Sequence, residues 1–281
     1  RRGLMTKREI SMEGVHVKFH RVKLTAEQNA ELARVRKKAA GGQEDGLAKA
    51  RGLMAMRRFE ENYKLDMAAE LALDAIRRGR KVVLFVDRRN PTTVSRRADE
   101  GETPEPITAD SPIAELIRRL EAEGVPEEKL AQLHGGLRSG DRASNMDRFQ
   151  ACRARVIIST VGAGGVGVNL DDRTGEHPRT MIMITPPFTA VETVQAAGRA
   201  WRVTTKSDLE IHYLATDHSV SQWSAGLAAR KLEMLNATVS GEVAALPVPD
   251  PDLYTEYDVP ESVLQGGDPP PYVALPEEMT P

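Results

Sequence analysis

Cysteine is almost missing from this chain of 281 residues: Cys152 stands alone, so neither a disulfide framework nor a cysteine-rich zinc site can be assembled from it. A reducing, intracellular or cytoplasmic setting is the expectation that follows. Long apolar runs are also missing. No stretch approaches the roughly 20 apolar residues a membrane helix needs, and the basic N-terminus is not followed by the apolar core of a signal peptide. A soluble chain with no membrane partner is expected. Positive charge is absent from one end, since Ser240 to Pro281 holds nine acidic residues and no Lys or Arg. The net charge of −2 hides this asymmetry: 41 acidic residues less those nine leaves 32, against 39 basic ones, in the remainder. A basic body suits contact with a phosphate backbone, because Lys and Arg release condensed counterions there. The histidines His16, His20, His177, His212 and His218 show no ligand-like spacing, so no metal site is expected.

What is present reads as an alternation of strand and helix. Val15 to Leu24 alternates as a strand does, and Thr25 with Gln28 three residues on forms a capping-box pattern that opens a helix. Helical periodicity runs through Leu47–Phe59 and Leu65–Ile76. Lys81–Val86 is then a short continuous apolar run, the pattern of a parallel strand covered on both faces. The segment Arg89–Asp110 is rich in Pro, Thr, Asp and Glu without apolar period, and reads as a surface insertion. Beyond it the pattern gives a helix at Pro112–Glu123, a strand at Leu130–Leu133, a helix at Asp141–Gln150 and a strand at Ala154–Ser159. A glycine-rich turn precedes a strand at Thr180–Ile184, a helix at Ala190–Ala200, a strand at Leu209–Ala215 and a final helix near Val220–Leu235. Strands separated by helix-length segments predict right-handed crossovers and a mostly parallel sheet flanked by helices, an α/β lobe. Past Ala237 lie nine of the 17 prolines, a composition that does not build a core. The expected organisation is a lead-in over 1–64, strand-like then helical, an α/β domain over 65–237 with the insertion at 89–110, and a Pro-rich acidic tail over 238–281.

Three segments carry chemistry. In Gln195-Ala196-Ala197-Gly198-Arg199-Ala200-Trp201-Arg202 the spacing places Gln195, Arg199 and Arg202 at i, i+4 and i+7, on one face if the segment is helical throughout. Two guanidiniums on one edge can converge on an anion. The same pattern also describes an ordinary solvated helix face. The turn Ser159–Leu170 follows an apolar strand, and its consecutive amides can hold a phosphate oxygen. Within it Gly162, Gly164 and Gly167 spell the G-x-G-x-x-G of dinucleotide sites. That reading requires an acid at the end of the next strand, where this chain has Thr185-Pro186-Pro187 instead. Third, Leu133-His134-Gly135-Gly136 stands at a strand end, followed by Arg142 and Phe149 on a helix.

The order of these elements resembles motifs IV, V and VI of superfamily 2 helicases: Val82–Val86 with Asp87-Arg88, then His134-Gly135, then Ser159-Thr160 through Asn169-Leu170, then Gln195-x-x-Gly198-Arg199-x-x-Arg202. The wording Ala163–Leu170 looks most like the Swi/Snf-type branch of double-strand DNA translocases, and Asp171–Arg179 before Pro186-Pro187-Phe188 is similar to strawberry-notch-like helicases. The resemblance covers about Leu65 to Leu235 and implies a second, C-terminal RecA-like lobe. It further implies that Arg199 and Arg202 are catalytic arginine fingers for the γ-phosphate, with Gly167, Asn169, Gln195 and Gly198 at the nucleotide. Arg88, His134, Gly135, Ser159 and Thr160 are implied contacts to nucleic acid. Ala197 and Trp201 depart from the branch, which often carries Asp and His there, and Asn169 replaces an acid of many relatives.

The G-x-x-x-x-G-K-[ST] phosphate loop occurs nowhere, and Asp99-Glu100 sits in the polar insertion rather than at a strand end. The implied cofactors, ATP and Mg²⁺, are therefore expected mainly on a separate N-terminal RecA-like lobe, and the chain alone is expected to be inactive. It opens on Arg1 rather than Met, and a fragment of a longer polypeptide is expected. The implied partner is DNA, double-stranded for preference. An RNA helicase lobe and a non-catalytic nucleic-acid-binding module are the alternatives.

Overall fold

The computed structural model describes residues 14–40, 46–94, 106–164, 168–187, 190–216 and 278–279. In chain order the elements are β1 (Val15–Val22), α1 (Ala26–Ala40), α2 (Gly46–Tyr63), α3 (Leu65–Arg77), β2 (Lys81–Val86), β3 (Thr92–Val94), β4 (Ile107–Ala109), α4 (Pro112–Ala122), β5 (Leu130–Leu133), α5 (Ser139–Gln150), β6 (Val156–Thr160), β7 (Arg179–Met183), α6 (Ala190–Ala200), β8 (Leu209–Thr216) and β9 (Glu278–Met279). The helix expected near Val220–Leu235 and nearly all of the acidic tail lie outside the described residues.

One seven-stranded sheet runs in the order β5-β6-β2-β7-β8-β1-β9. Every pairing from β5 to β1 is parallel, and only the two-residue β9 is antiparallel. The RecA-like α/β lobe read from the sequence is the fold observed. β2 lies between β6 and β7 and is buried along its whole length, which explains its unbroken apolar run. Because side chains alternate across a strand, Val82, Leu84 and Val86 meet α3 and α4 on one face, while Val83 and Phe85 meet Phe149 of α5 and Ala196 and Ala200 of α6 on the other. The apolar stripes of α3 and α4 supply the first layer through Leu65, Ala68, Ala72, Leu116 and Leu120.

Local chemistry explains where helices begin. Thr25 N donates to Gln28 Oε1 at 2.9 Å and Gln28 N to Thr25 Oγ1 at 3.2 Å, the reciprocal capping box that opens α1. α4 starts on Ser111, whose hydroxyl accepts from Ala114 N, with Pro112 in the first turn where its missing N–H costs nothing.

The structure differs from the sequence reading in two places. β1 pairs in register with all of β8, so the segment before residue 65 contributes a strand to the sheet itself. The insertion is also not wholly irregular. β3 and β4 form an antiparallel hairpin, and Val94, Ile107 and Ala109 pack on Leu32 and Val35 of α1 and on Leu53, Met56 and Phe59 of α2. This second, small core stands beside the carboxyl ends of the strands.

Buried charge fastens α2 there. Glu61 Oε1 accepts from Asp87 N at 2.5 Å and from Thr185 Oγ1 at 3.2 Å, Lys64 Nζ donates to Thr185 Oγ1 at 3.4 Å, and Thr216 Oγ1 donates to Glu60 Oε2 at 3.2 Å. Burial, with nearby Asp87 second, raises the pKa of Glu61, and burial lowers that of Lys64. Breaking such a network from one side leaves a buried charge uncompensated, a loss of about 3–5 kcal/mol. Among the described residues no helix is long and apolar enough to cross a membrane.

Candidate nucleotide and nucleic-acid site

From β2 the chain crosses to β5 on one side, and from β6 it crosses to β7 on the other. Around this reversal the loops after β2, β5 and β6 gather at the carboxyl edge of the sheet, the place where open α/β sheets form a crevice for ligands. His134 follows β5 and is half-buried. Its Nδ1 accepts from Gly136 N at 3.2 Å, and its pKa is lowered by burial first and by the Arg89 charge second. The end of β6 is tied to β2 because Val161 N donates to Val86 O at 3.2 Å.

The two arginines of the third motif meet this loop from α6. Arg199 Nη1 donates to Val161 O at 3.0 Å, and Arg202 Nη2 donates to Val168 O at 3.2 Å, so both guanidiniums are moored to the glycine-rich segment after β6. They are near enough that Arg202 is the second cause, after burial, of the lowered pKa of Arg199. The Arg199 guanidinium also lies over the Phe85 ring, 6.0 Å from its centre. Arg202 Nε is buried with no hydrogen-bond acceptor among the described residues. Unsatisfied buried donors are rare, and two like charges side by side are electrostatically unfavourable unless an anion joins them. The donor set therefore fits the terminal phosphates of a nucleoside triphosphate. Among the described residues no group of three or more His, Cys, Asp or Glu side chains comes together as a metal would need.

One expectation about these arginines needs correction. α6 ends at Ala200, so Arg202 does not share its helical face with Gln195 and Arg199. Trp201 N still closes the last turn onto Ala197 O at 2.9 Å, but Arg202 is placed by a loop in which its own N–H donates to Thr205 Oγ1 at 2.7 Å. Convergence comes from the loop and not from helical periodicity.

The other residues read from the sequence fall into three groups. Gln195 is exposed, Thr160 and Asn169 are half-buried, and Gly135 is exposed at the strand end, all consistent with ligand access. Gly198 is open as well, with nothing within 4 Å of where its β-carbon would lie, so packing inside this lobe does not demand a glycine. Ser159 is fully buried, and its hydroxyl donates to Thr160 O at 3.1 Å. Arg88 is turned inward too, its side chain only 9% exposed and held by carbonyls of Arg58, Asn90 and Asp110 and by Asn62 Oδ1. Gly167 lies outside the described residues.

Several positioning residues were not visible in the motifs. Buried Arg179 donates to Leu170 O at 2.8 Å, to Asp171 O at 3.0 Å, to Gln150 Oε1 at 3.2 Å and to His177 O. Gln150 Nε2 in turn donates to Asn169 O at 2.7 Å. These bonds fix the segment 168–171 on which Arg202 rests. Their only sequence signal is an arginine opening an otherwise apolar strand.

Comparison with known proteins identifies the family and the fold. Residues 63–204, half of the chain, match the model of the helicase conserved C-terminal domain. A protein of Acanthamoeba polyphaga mimivirus named as an ATP-dependent RNA helicase is 41% identical over 66 residues, which is 24% of this chain and 12% of that protein's length. In structure the chain resembles the C-terminal part of the Fun30 ATPase domain, with a TM-score of 0.50 at 15% identity over 84% of this chain and 99% of that one. It also resembles the Sulfolobus solfataricus SWI2/SNF2 ATPase core solved with double-stranded DNA, with a TM-score of 0.55 at 14% identity over 82% of this chain and 47% of that one. The chain belongs to the helicase conserved C-terminal domain family, with the fold of the C-terminal lobes of SWI2/SNF2 ATPases.

Proposed function

We propose that this chain is the C-terminal motor lobe of an ATP-dependent DNA helicase or translocase. In this reading it faces an N-terminal RecA-like lobe of the same polypeptide, and ATP with Mg²⁺ is held mainly on that lobe. The observation that carries the proposal is the mooring of Arg199 and Arg202 to Val161 O and Val168 O, which holds two guanidiniums, one from α6 and one from the loop after it, on the same glycine-rich segment. Both arginines would offset charge developing on the transferred γ-phosphoryl, the term on which phosphoryl transfer chiefly depends. Their anchoring loop continues directly from β6, and Thr160 at its start stands at the nucleic-acid edge with His134 and Gly135. Closure of the lobes on a nucleotide thereby pulls on the same segment that faces the nucleic acid. That linkage is what a translocating motor requires.

DNA is favoured over RNA by the likeness to a core solved on double-stranded DNA. The RNA reading is kept because of the name of the mimiviral relative. The test is the ATPase rate of the chain joined to its N-terminal lobe, with double-stranded DNA, single-stranded DNA or RNA added. Double-stranded DNA is expected to stimulate most, and Arg199→Ala or Arg202→Ala to lower the stimulated rate by about 10³-fold or more. Unchanged turnover in both variants would remove the assignment.

A further inference from the structure

We propose that helix α2 belongs to the nucleic-acid interface, where Arg58 and neighbouring Arg89 form a two-guanidinium contact for the phosphodiester backbone and inward-facing Arg88 holds them in place. The inference rests on the nucleic-acid reading above and adds residues that no motif contains.

Arg88 is the residue the motifs point to, yet its donors are occupied inside the protein. Nε and Nη2 donate to Arg58 O at 3.3 and 3.2 Å, Nη2 to Asn62 Oδ1 at 2.6 Å, and Nη1 to Asn90 O at 2.6 Å and Asp110 O at 2.7 Å. One guanidinium thus pins the backbone of α2 at Arg58 to the backbone immediately after Arg89. Arg58 and Arg89 are themselves exposed, and neither side chain has a hydrogen-bond or ion-pair partner among the described residues.

The carboxylates nearby do not neutralise them. Glu61 is buried 3.7 Å from Arg88, and Asp87 faces Arg57 at 3.6 Å; Asp110 is the exposed acid of this corner, and its carbonyl is what Arg88 holds. Arg89 reaches across to the loop after β5. Its Nη1 lies 1.2 Å from where a β-carbon of Gly136 would be, so the guanidinium fills the space that a side chain at position 136 would take, near enough to His134 for its charge to lower that ring's pKa. Two elements of the carboxyl edge therefore present unneutralised guanidiniums, Arg58 from α2 and Arg89 after β2, and the His134 ring after β5, its pKa lowered by burial and by Arg89, lies beside them as a hydrogen-bonding group. Clustered cations without partners suit successive phosphates, whose contacts position a motor without reading sequence.

The test measures binding of the chain to a short fluorescein-labelled DNA duplex by anisotropy over a range of salt concentrations. Arg58→Ala and Arg89→Ala are each expected to weaken binding roughly three- to fivefold and to lower the slope of log Kd against log salt by about one, with melting temperature unchanged. Gly136→Ala is expected to match Arg89→Ala and to add nothing in its background, since both displace one guanidinium. Arg118→Ala, on the far side of α4, should leave affinity as it is. If His134→Ala weakens binding while Arg58→Ala and Arg89→Ala keep wild-type affinity and slope, the interface exists without α2 and this inference is overturned. If the unaltered chain binds no nucleic acid, the functional reading and this one fall together.

Discussion

Leu170 bridges Arg199 and Arg179: its N–H donates to Arg199 O at 2.8 Å, and its carbonyl accepts from Arg179 Nε at 2.8 Å. The candidate catalytic arginine is thus braced by a second arginine that never reaches the site. Arg179→Met keeps most of the buried volume but strips donors from the carbonyls of Leu170 and Asp171. Each orphaned acceptor costs about 1–3 kcal/mol, so a loss on the order of 3 kcal/mol is expected in urea denaturation. A variant as stable as the parent would show that the 168–171 segment is held by other means.

Arg88 is expected to behave as a structural clamp. Lysine carries the same charge but a single donor centre, which cannot span the carbonyls of Arg58, Asn90 and Asp110 and the Asn62 amide at once. Arg88→Lys should therefore lower stability by about 2–3 kcal/mol. A phosphate-contacting arginine exposed to solvent would show the reverse pattern, with weakened nucleic-acid binding and an unaltered denaturation midpoint.

Gly198 separates folding from function. It lies inside α6 with open space at its β-position, so Gly198→Ala is expected to stabilise the isolated chain by about 0.5–1 kcal/mol through reduced backbone freedom. In the two-lobe protein the added methyl would stand where a nucleotide approaches, and ATPase activity should fall. Equal activity in parent and variant would take Gly198 out of the site.

Acid should weaken the β1–β8 region. His20 Nε2 lies 2.7 Å from His212 Nδ1 and the rings stack, while burial, with His212 and Lys18 as lesser causes, brings the pKa of His20 down from 6.5 to about 4. A folded pKa below the unfolded one means that the unfolded chain binds the extra proton between those values, so stability falls as pH drops from 6.5 toward 4. Because His20 is only partly buried, the effect is discounted for solvent screening to ~1 kcal/mol. Burial raises the pKa of Glu210, but nearby His212 and the two hydrogen bonds from Arg78 lower it on balance, which adds acid sensitivity in the same direction. Denaturation midpoints at pH 7 and 4.5 should differ less in His20→Phe than in the parent, and an equal difference would remove His20 from the account.

Apart from β1, the sheet was legible because its strands are largely buried on both faces and therefore written as mainly apolar runs: Lys81–Val86 and Leu130–Leu133 have the bounds read from the sequence. The hairpin β3–β4 was not, since three-residue strands carry too little alternation and their apolar side chains are satisfied by helices some fifty residues away. The arginine pair was legible as a pair of residue types, but its convergence was not. Helical periodicity stops at Ala200, and Arg202 is aimed by Thr205 and Val168 O. The inward turn of Arg88 was equally hidden, because its partners Arg58 and Asn62 lie on a helix 26 to 30 residues earlier. Spacing reports which groups share an element, and it is silent on which neighbouring element absorbs their charge.

The end of α6 at Ala200 gives the two guanidiniums unequal mechanical footing. Arg199 rides on a helix whose Ala196 and Ala200 are embedded in the sheet's core. Arg202 hangs on the Thr204–Thr205 turn, whose hydroxyls join Asp171 and the Arg202 amide at 2.6 and 2.7 Å. A displacement of segment 168–171 is therefore passed to both arginines by different routes, to Arg199 through the Leu170 N–H on its main-chain carbonyl within a helix, and to Arg202 through Val168 O on its side chain.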